Sequence, residues 1–261
     1  GAHLFHNPVN HPILLEGNGA QSLNKTGSCN SREREKIMAR YVVGDIHGGK
    51  RTLQALISKL QLRHRDRLYL LGDYIDRGPD SCGVLDVIIA LLDAGYDVRP
   101  LMGNHEDMLL RTISGEHDTW SGNWLEIFGE VTLRSFGVSS VADVPTRYLN
   151  LLGTLKLIEQ ENDFVLVHAG LNFRVDNPLM DSTPFQCLWL ESGPPDKTKL
   201  GGRPLITGHT VRTMREIGDS LVSPRIYLDN GACTNKHPDY GNLVAMNLDL
   251  YKLILQPWID N

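Results

Sequence analysis

From Arg40 onward, short apolar runs alternate with longer amphipathic stretches. Tyr41-Val42-Val43 is a strand-forming run that stops at Gly44. Behind it, Leu53, Leu56, Ile57 and Leu60 recur at three- and four-residue intervals, which predicts a helix over 50–60. Leu68 to Leu71 predicts a second strand, stopped at Gly72-Asp73. The 80–93 stretch predicts a second helix, with Asp80 or Ser81 as N-cap and Gly95 as its stop. Val98 to Met102 gives a third strand, closed by Gly103-Asn104. The later half is richer in strands: Phe164 to Val167, Leu205 to Thr207, Ile226 to Leu228, Leu243 to Asn247 and Leu250 to Leu255. The last two, divided at Asp249, predict a terminal hairpin. Strand–loop–helix units followed by clustered strands predict a layered α/β fold.

Residues 1–37 lack this periodicity. They are rich in Asn, Gly, Ser and His and end in a charged run from Ser31 to Lys36. They are expected to form a flexible N-terminal extension, with 38–261 as the catalytic domain and Met38 as the start of the compact unit. The first residue, Gly1, suggests processing or a cloning scar.

Composition narrows the class. With 41% apolar and 22% charged residues, disordered and fibrous chains are excluded. The formal charge of −5 argues against non-specific nucleic-acid binding. Cys29, Cys82, Cys187 and Cys233 lie far apart, which fits neither a disulfide scaffold nor a cysteine zinc site. A reducing, cytoplasmic setting follows from that usage. There is no long apolar run or charged-then-apolar leader, so neither a membrane span nor a signal peptide is expected.

Polar residues gather where the predicted strands end, the place where open α/β sheets form binding crevices. The clusters are Gly44-Asp45-Ile46-His47-Gly48, Gly72-Asp73-Tyr74-Ile75-Asp76-Arg77-Gly78, Gly103-Asn104-His105-Glu106, His168-Ala169-Gly170, Gly208-His209-Thr210 and Asp229-Asn230-Gly231. A lone Asp at a strand end is most often a turn or helix cap, and a lone histidine is usually surface or hydrogen-bonded core. That plainer account is kept for His64, His117 and His237, and for His3, His6 and His11 in the extension. Recurrence after strand upon strand is what marks one shared site. Carboxylates, an amide oxygen and imidazoles together suit Mn, Fe or Zn better than calcium.

Three other motifs fail on inspection. Gly44 to Lys50 matches the start of a phosphate-binding loop, but Arg51 stands where a Ser or Thr hydroxyl is needed. His105-Glu106 begins a zinc-protease motif, but Leu109 replaces its second histidine. No cysteine has an arginine six positions later, which removes a cysteine-nucleophile phosphatase.

The ordered set GDIHG, GDYIDRG, GNHE, HAG and GHT resembles the metal-dependent phosphoprotein phosphatases, in their bacterial and phage-like branch, within the calcineurin-like metallophosphoesterases. The resemblance implies a four-layer α/β sandwich with two mixed β-sheets flanked by helices, and two divalent metals, manganese first and iron or zinc next. Position by position, it implies Asp45, His47 and Asp73 at one metal, and Asp73, Asn104, His168 and His209 at the other. Two cations about 3.5–4 Å apart can share and acidify one water, so direct attack by metal-bound hydroxide is expected. Arg77, Asn104 and His105 would meet the substrate phosphate, His105 as general acid oriented by Asp76. The family's second phosphate-binding arginine is missing after Trp189, where Leu190-Glu191-Ser192 stands. Arg203, Arg212 or Arg215 are the candidate substitutes, the alternative being that Arg77 and the metals hold the anion alone.

Two activities compete. A monomeric phosphatase acting on phosphoserine or phosphothreonine, with phosphotyrosine as an extension, is the main expectation. Its partner would be a phosphoprotein or phosphopeptide, with no nucleic acid or membrane. The alternative is a dinucleoside polyphosphate hydrolase, which shares the metal motifs. Asp76 and Glu106 tilt the sequence reading toward the protein phosphatase, because the hydrolases typically lack the first and carry Asp for the second.

Overall fold

The computed structural model describes residues 38–116, 123–191, 193–234 and 238–260. The proposed 1–37 extension therefore lies outside the described residues, as do His117 and His237. Ten strands are described: β1 (Arg40–Val43), β2 (Arg67–Leu70), β3 (Asp97–Pro100), β4 (Ile158–Gln160), β5 (Val165–Val167), β6 (Leu205–Thr207), β7 (Arg225–Tyr227), β8 (Asp229–Asn230), β9 (Asn242–Asn247) and β10 (Lys252–Pro257). The helices are α1 (Lys50–Leu60), α2 (Ser81–Asp93), α3 (Asn104–Ser114), α4 (Glu130–Phe136), α5 (Thr146–Leu152), α6 (Pro178–Asp181), α7 (Pro184–Trp189) and α8 (Met214–Ser220).

One mixed sheet runs β10-β9-β1-β2-β3, with β8 added beside β9; a second runs β4-β5-β6-β7. Parallel β1-β2-β3 come from the strand–helix units, and antiparallel β9-β10 is the hairpin expected from the sequence. Side-chain alternation builds the layers. Val42, Tyr69, Leu71, Val244 and Met246 point inward and meet Phe164, Leu166, Ile206 and Ile226 of the second sheet. Val43, Leu68, Leu70 and Ala245 point the other way, onto Leu53, Leu56, Val84, Leu85 and Ile88 of α1 and α2. Val165, Val167 and Leu205 cover the second sheet's far face with Cys187 and Leu200. The result is helix–sheet–sheet–helix, the expected four-layer sandwich.

Helix starts follow local chemistry. Asp80 caps α2 by accepting the Gly83 N–H at 2.7 Å. Thr183 and Gln186 form a reciprocal capping box at α7, as Thr213 and Glu216 do at α8. No described helix is long and apolar enough to cross a membrane.

Candidate metal centre

The polar segments that follow β1, β2, β3, β5, β6 and β7 include every residue proposed for the site. Five site residues adopt left-handed backbone: His47 (φ 47°), Asp73 (53°), Asp76 (71°), Arg77 (64°) and His209 (65°). Such conformations cost about 1–3 kcal/mol each in side-chain-bearing residues and persist only where the surroundings enforce them. Here the enforcement is backbone hydrogen bonding. The Ile46 and His47 N–H groups donate to Asp73 O at 3.0 and 2.8 Å, and Gly48 N–H to Tyr74 O at 2.8 Å. These bonds also consume the donors a phosphate-binding loop would need, and Lys50 turns to Asp80, 3.4 Å away.

Two glycines make room for carboxylates. A Cβ on Gly208 would lie 2.1 Å from Asp45 Oδ1, and one on Gly103 would lie 2.2 Å from Asp73 Oδ1. Glu106 then fastens the β2 and β3 loops together. It accepts backbone N–H bonds from Asp73 (2.8 Å), Tyr74 (2.7 Å), Ile75 (3.2 Å) and Gly103 (3.0 Å).

The histidines are set by what lies behind them. His47 Nδ1 is 3.0 Å from Ile75 O, and His168 Nδ1 is 2.9 Å from Leu71 O. A carbonyl only accepts, so Nδ1 carries the proton and each Nε2 presents a lone pair. His47 Nε2 stands 3.5 Å from Asp73 Oδ2, and His168 Nε2 stands 3.4 Å from Asp73 Oδ1. One carboxylate thus faces two imidazoles with different oxygens, which suits a ligand shared by two cations. Asn104 Oδ1 lies 2.8 Å from His168 Nε2 and 3.0 Å from His209 Nδ1.

Two donor triads converge and share Asp73: His47–Asp73–His105 and Asp73–His168–His209, each with ligand atoms within 4.8 Å. The first contains two of the three residues expected at one metal, His47 and Asp73, with His105, the expected general acid, beside them. Asp45, the third, accepts the His209 N–H at 3.1 and 3.2 Å. Asp229 stands close enough to repel it. Asp229 was noticed in a strand-end cluster but given no role.

Electrostatics favour cations here. Burial, and after it repulsion from neighbouring carboxylates, raises Asp45 and Asp73 well above the usual range; burial takes Asp229 up to about 6. Burial likewise lowers His47 and His168 well below their usual value, and takes His209 down to about 4. Neutral imidazoles and crowded carboxylates with converging lone pairs fit a pair of divalent metal ions.

While His105 Nε2 faces Asp73, its Nδ1 lies 2.6 Å from Asp76 Oδ2. Asp76 also accepts the Trp124 indole N–H at 2.7 Å and the Thr132 hydroxyl. Burial pushes Asp76 up to about 7, against the pull of those donors. Phe128, on a single π-helical turn at Leu125–Gly129, stands edge-on to His105 at 4.7 Å. Its ring also lies under the Arg77 guanidinium, 5.8 Å away. Arg77 is exposed, and its guanidinium has no ion pair or hydrogen bond among the described residues. Sequence reasoning missed Trp124, Phe128 and Thr132; their four-residue spacing was the available signal.

The Trp189 segment also resolves. The Trp189 ring stands edge-on to His209 at 6.0 Å. Glu191 accepts from Arg212, from Thr210 Oγ1 at 3.2 Å and from the Tyr227 hydroxyl at 3.3 Å. Of the three candidate arginines, Arg203 is spent on the Leu200 and Glu161 carbonyls at the start of β6, the end opposite His209. Arg215 is exposed and lies 3.9 Å from Asp219. Only Arg212 adjoins the centre.

The family model for calcineurin-like phosphoesterases matches residues 38–231. A symmetrical bis(5'-nucleosyl)-tetraphosphatase of Nitrosomonas europaea is 36% identical over 135 residues, 51% of this chain and 45% of that protein. One of Erwinia tasmaniensis is 34% identical over 137 residues, 51% of this chain and 45% of that protein. The chain therefore matches a little under half the length of these curated relatives. Among solved structures, a provisionally named diadenosine tetraphosphatase superposes with a TM-score of 0.62 at 20% identity, covering 86% of this chain and 95% of that one. A serine/threonine phosphatase from Saccharomyces cerevisiae superposes at 0.55 and 15% identity, covering 86% and 81%. At such identities these structures show the fold alone.

The curated relatives overturn the expectation of a protein phosphatase and, with it, the phosphoprotein or phosphopeptide substrate. The physical reason lies in the two residues that favoured it. Asp76 and Glu106 are fully buried. Their bonds run to His105, Trp124, Thr132 and loop backbone, so they report on how the loops are held rather than on what is cleaved. The family model, over 38–231, spans every strand-end segment of the centre, and the family implies a dinuclear divalent-metal site. The chain belongs to the calcineurin-like phosphoesterase family and is a hydrolase of the metallophosphoesterase type.

Proposed function

We propose that the 38–261 domain hydrolyses dinucleoside polyphosphates, splitting a bis(5'-nucleosyl) tetraphosphate into two nucleoside diphosphates. The observation that carries this reading is the 36% identity to a symmetrical tetraphosphatase over 135 residues.

In this reading Asp45, His47 and Asp73 hold one cation, and Asp73, Asn104, His168 and His209 hold the other. When bound, the pair supplies Lewis acidity and an activated water for attack at phosphorus. The chain's own residues do the rest. Asp73 would be shared by the two cations, and the protonated Nδ1 atoms of His47 and His168 keep the Nε2 lone pairs inward. Arg77 offers a planar fork to two non-bridging phosphate oxygens, and the Asn104 amide and the His105 ring edge flank the same position. An anionic phosphate at His105 Nε2 favours the doubly protonated ring, and Asp76 stabilises that ring through Nδ1. His105 then protonates the departing oxygen. That proton counts for less here than for a serine alkoxide, because a departing diphosphate disperses its own charge.

The test is metal-reconstituted turnover of diadenosine tetraphosphate, p-nitrophenyl phosphate and phosphopeptides, run side by side. The expected result is the highest kcat/KM on the dinucleotide. Higher kcat/KM on phosphopeptides than on the dinucleotide would overturn the proposal.

A further inference from the structure

A cavity of about 590 Å³ is lined by Asn172, Phe173, Arg174, Gln186, Leu190 and Glu191 among others. Its volume falls within the roughly 300–1,000 Å³ typical of small-molecule sites. We propose that this cavity is a nucleoside subsite, taking the base and ribose of one end of the dinucleotide while the phosphates lie at the metal centre. The inference rests on the dinucleoside reading above and adds to it a location.

Continuity with the centre is the first argument. Leu190 follows Trp189, whose ring meets His209 edge-on at 6.0 Å. Glu191 is tied to Thr210, the residue after His209, by a 3.2 Å bond. The cavity wall is therefore tied to the segment that carries His209 at two points, through Trp189 and through Glu191.

Chemistry of the lining is the second. Phe173 supplies a half-buried aromatic face anchored in the small core beneath the second sheet. Bases stack on aromatic faces at about 1–3 kcal/mol each. Arg174 presents an exposed guanidinium with no ion pair or side-chain hydrogen bond among the described residues, suited to lie over a base's other face. Gln186 spends its Oε1 on the Thr183 N–H at 3.0 Å, which leaves its amide N–H pair for ring nitrogens or carbonyls. Asn172 Oδ1 accepts the Arg174 N–H at 3.0 Å and likewise keeps its amide N–H pair. At the inner edge, Glu191 is held by Arg212, Thr210 and Tyr227. Its carboxylate accepts from ribose hydroxyls and repels phosphate, so the polyphosphate is directed to the metals and the nucleoside to the cavity.

Two variants test this in the metal-loaded protein. Phe173→Leu keeps apolar bulk in the core but removes the ring. Gln186→Glu keeps the Thr183 cap acceptor but removes the amide donors. Each is expected to raise KM for diadenosine tetraphosphate by roughly 10-fold, the scale of one lost base contact. Neither should change kcat/KM for p-nitrophenyl phosphate, which carries no nucleoside. An unchanged KM for the dinucleotide in both variants would overturn the subsite and leave the activity standing. Equal losses on both substrates would also overturn it, because they would mark a packing role only. A wild-type protein that hydrolyses p-nitrophenyl phosphate but ignores the dinucleotide would overturn the subsite and the dinucleoside reading together.

Discussion

At the residue scale, the centre is held by residues that do not touch substrate. Asp76 is the clearest case, since it gathers His105, Trp124 and Thr132 around one buried carboxylate. Asp76→Asn would replace one acceptor oxygen with a donor and release the His105 tautomer. The expected loss is about 10–100-fold in kcat, as for other groups that orient active-site histidines, read by steady-state kinetics at full metal occupancy. A comparable loss from Trp124→Phe would show that the indole donor matters as much as the carboxylate. The proposed ligands and Asp76 could be singled out in the sequence because each lies in a glycine-containing polar segment that follows a strand. Trp124 and Thr132 could not, because their partner is a side chain 48 and 56 residues away in sequence. The left-handed backbone at His47, Asp73, Asp76, Arg77 and His209 was not legible either, since the enrichment of Asp and His in that region is too weak to locate it.

At the element scale, β1 to β3, β5 to β7 and the terminal hairpin were readable, with helices α1 and α2; the short strands β4 and β8 and the helices from α3 onward were not. Helix α3 shows why. Its first turn is Asn104-His105-Glu106, so chemistry occupies the positions where apolar periodicity would begin. Glu106 illustrates what such a turn does for the elements around it, because it joins the β2 and β3 loops through four backbone N–H groups. Glu106→Gln keeps one acceptor oxygen but turns a donor toward N–H groups. Leaving buried donors unsatisfied costs about 1–3 kcal/mol, so urea melts should show a loss of that size, and activity should fall with the loop geometry. A second joint lies at the start of the first sheet. Burial would raise Asp66, but donors from Arg63 and Ala39 outweigh it and hold its carboxyl below the usual range. A depressed folded pKa adds stability at pH above the unfolded value of about 3.9. That contribution is lost as pH falls through the folded pKa. Asp66→Asn should therefore lower stability at neutral pH by roughly 1.5–3 kcal/mol and narrow its gap to the wild type below about pH 4, as followed by melts across pH.

At the scale of the whole molecule, the sandwich and its crest of metal-binding segments were legible from motif order, while the substrate was not. Specificity in this fold is not written in the strand ends, which serve any phosphoester. In the proposed reading it depends on the walls beside them, such as the Phe173–Gln186 cavity and the Glu191–Arg212 pair, which no strand-end motif announces. Metal dependence belongs to this scale too. A strong chelator should abolish turnover on every phosphoester, and Mn²⁺ should restore it better than Ca²⁺, which prefers six to eight oxygen ligands. Cations that bind only the folded chain stabilise it by about 2.7 kcal/mol at one hundred times their Kd, so chelation should also lower Tm. Turnover that persists in verified metal-free protein would contradict the two-metal centre. The most direct test of the central claim is the product ratio from diadenosine tetraphosphate, resolved by anion-exchange chromatography with the metal-loaded protein. The account predicts two equivalents of ADP per dinucleotide and no early ATP or AMP. Release of no nucleotide, under conditions where p-nitrophenyl phosphate is hydrolysed, would contradict it.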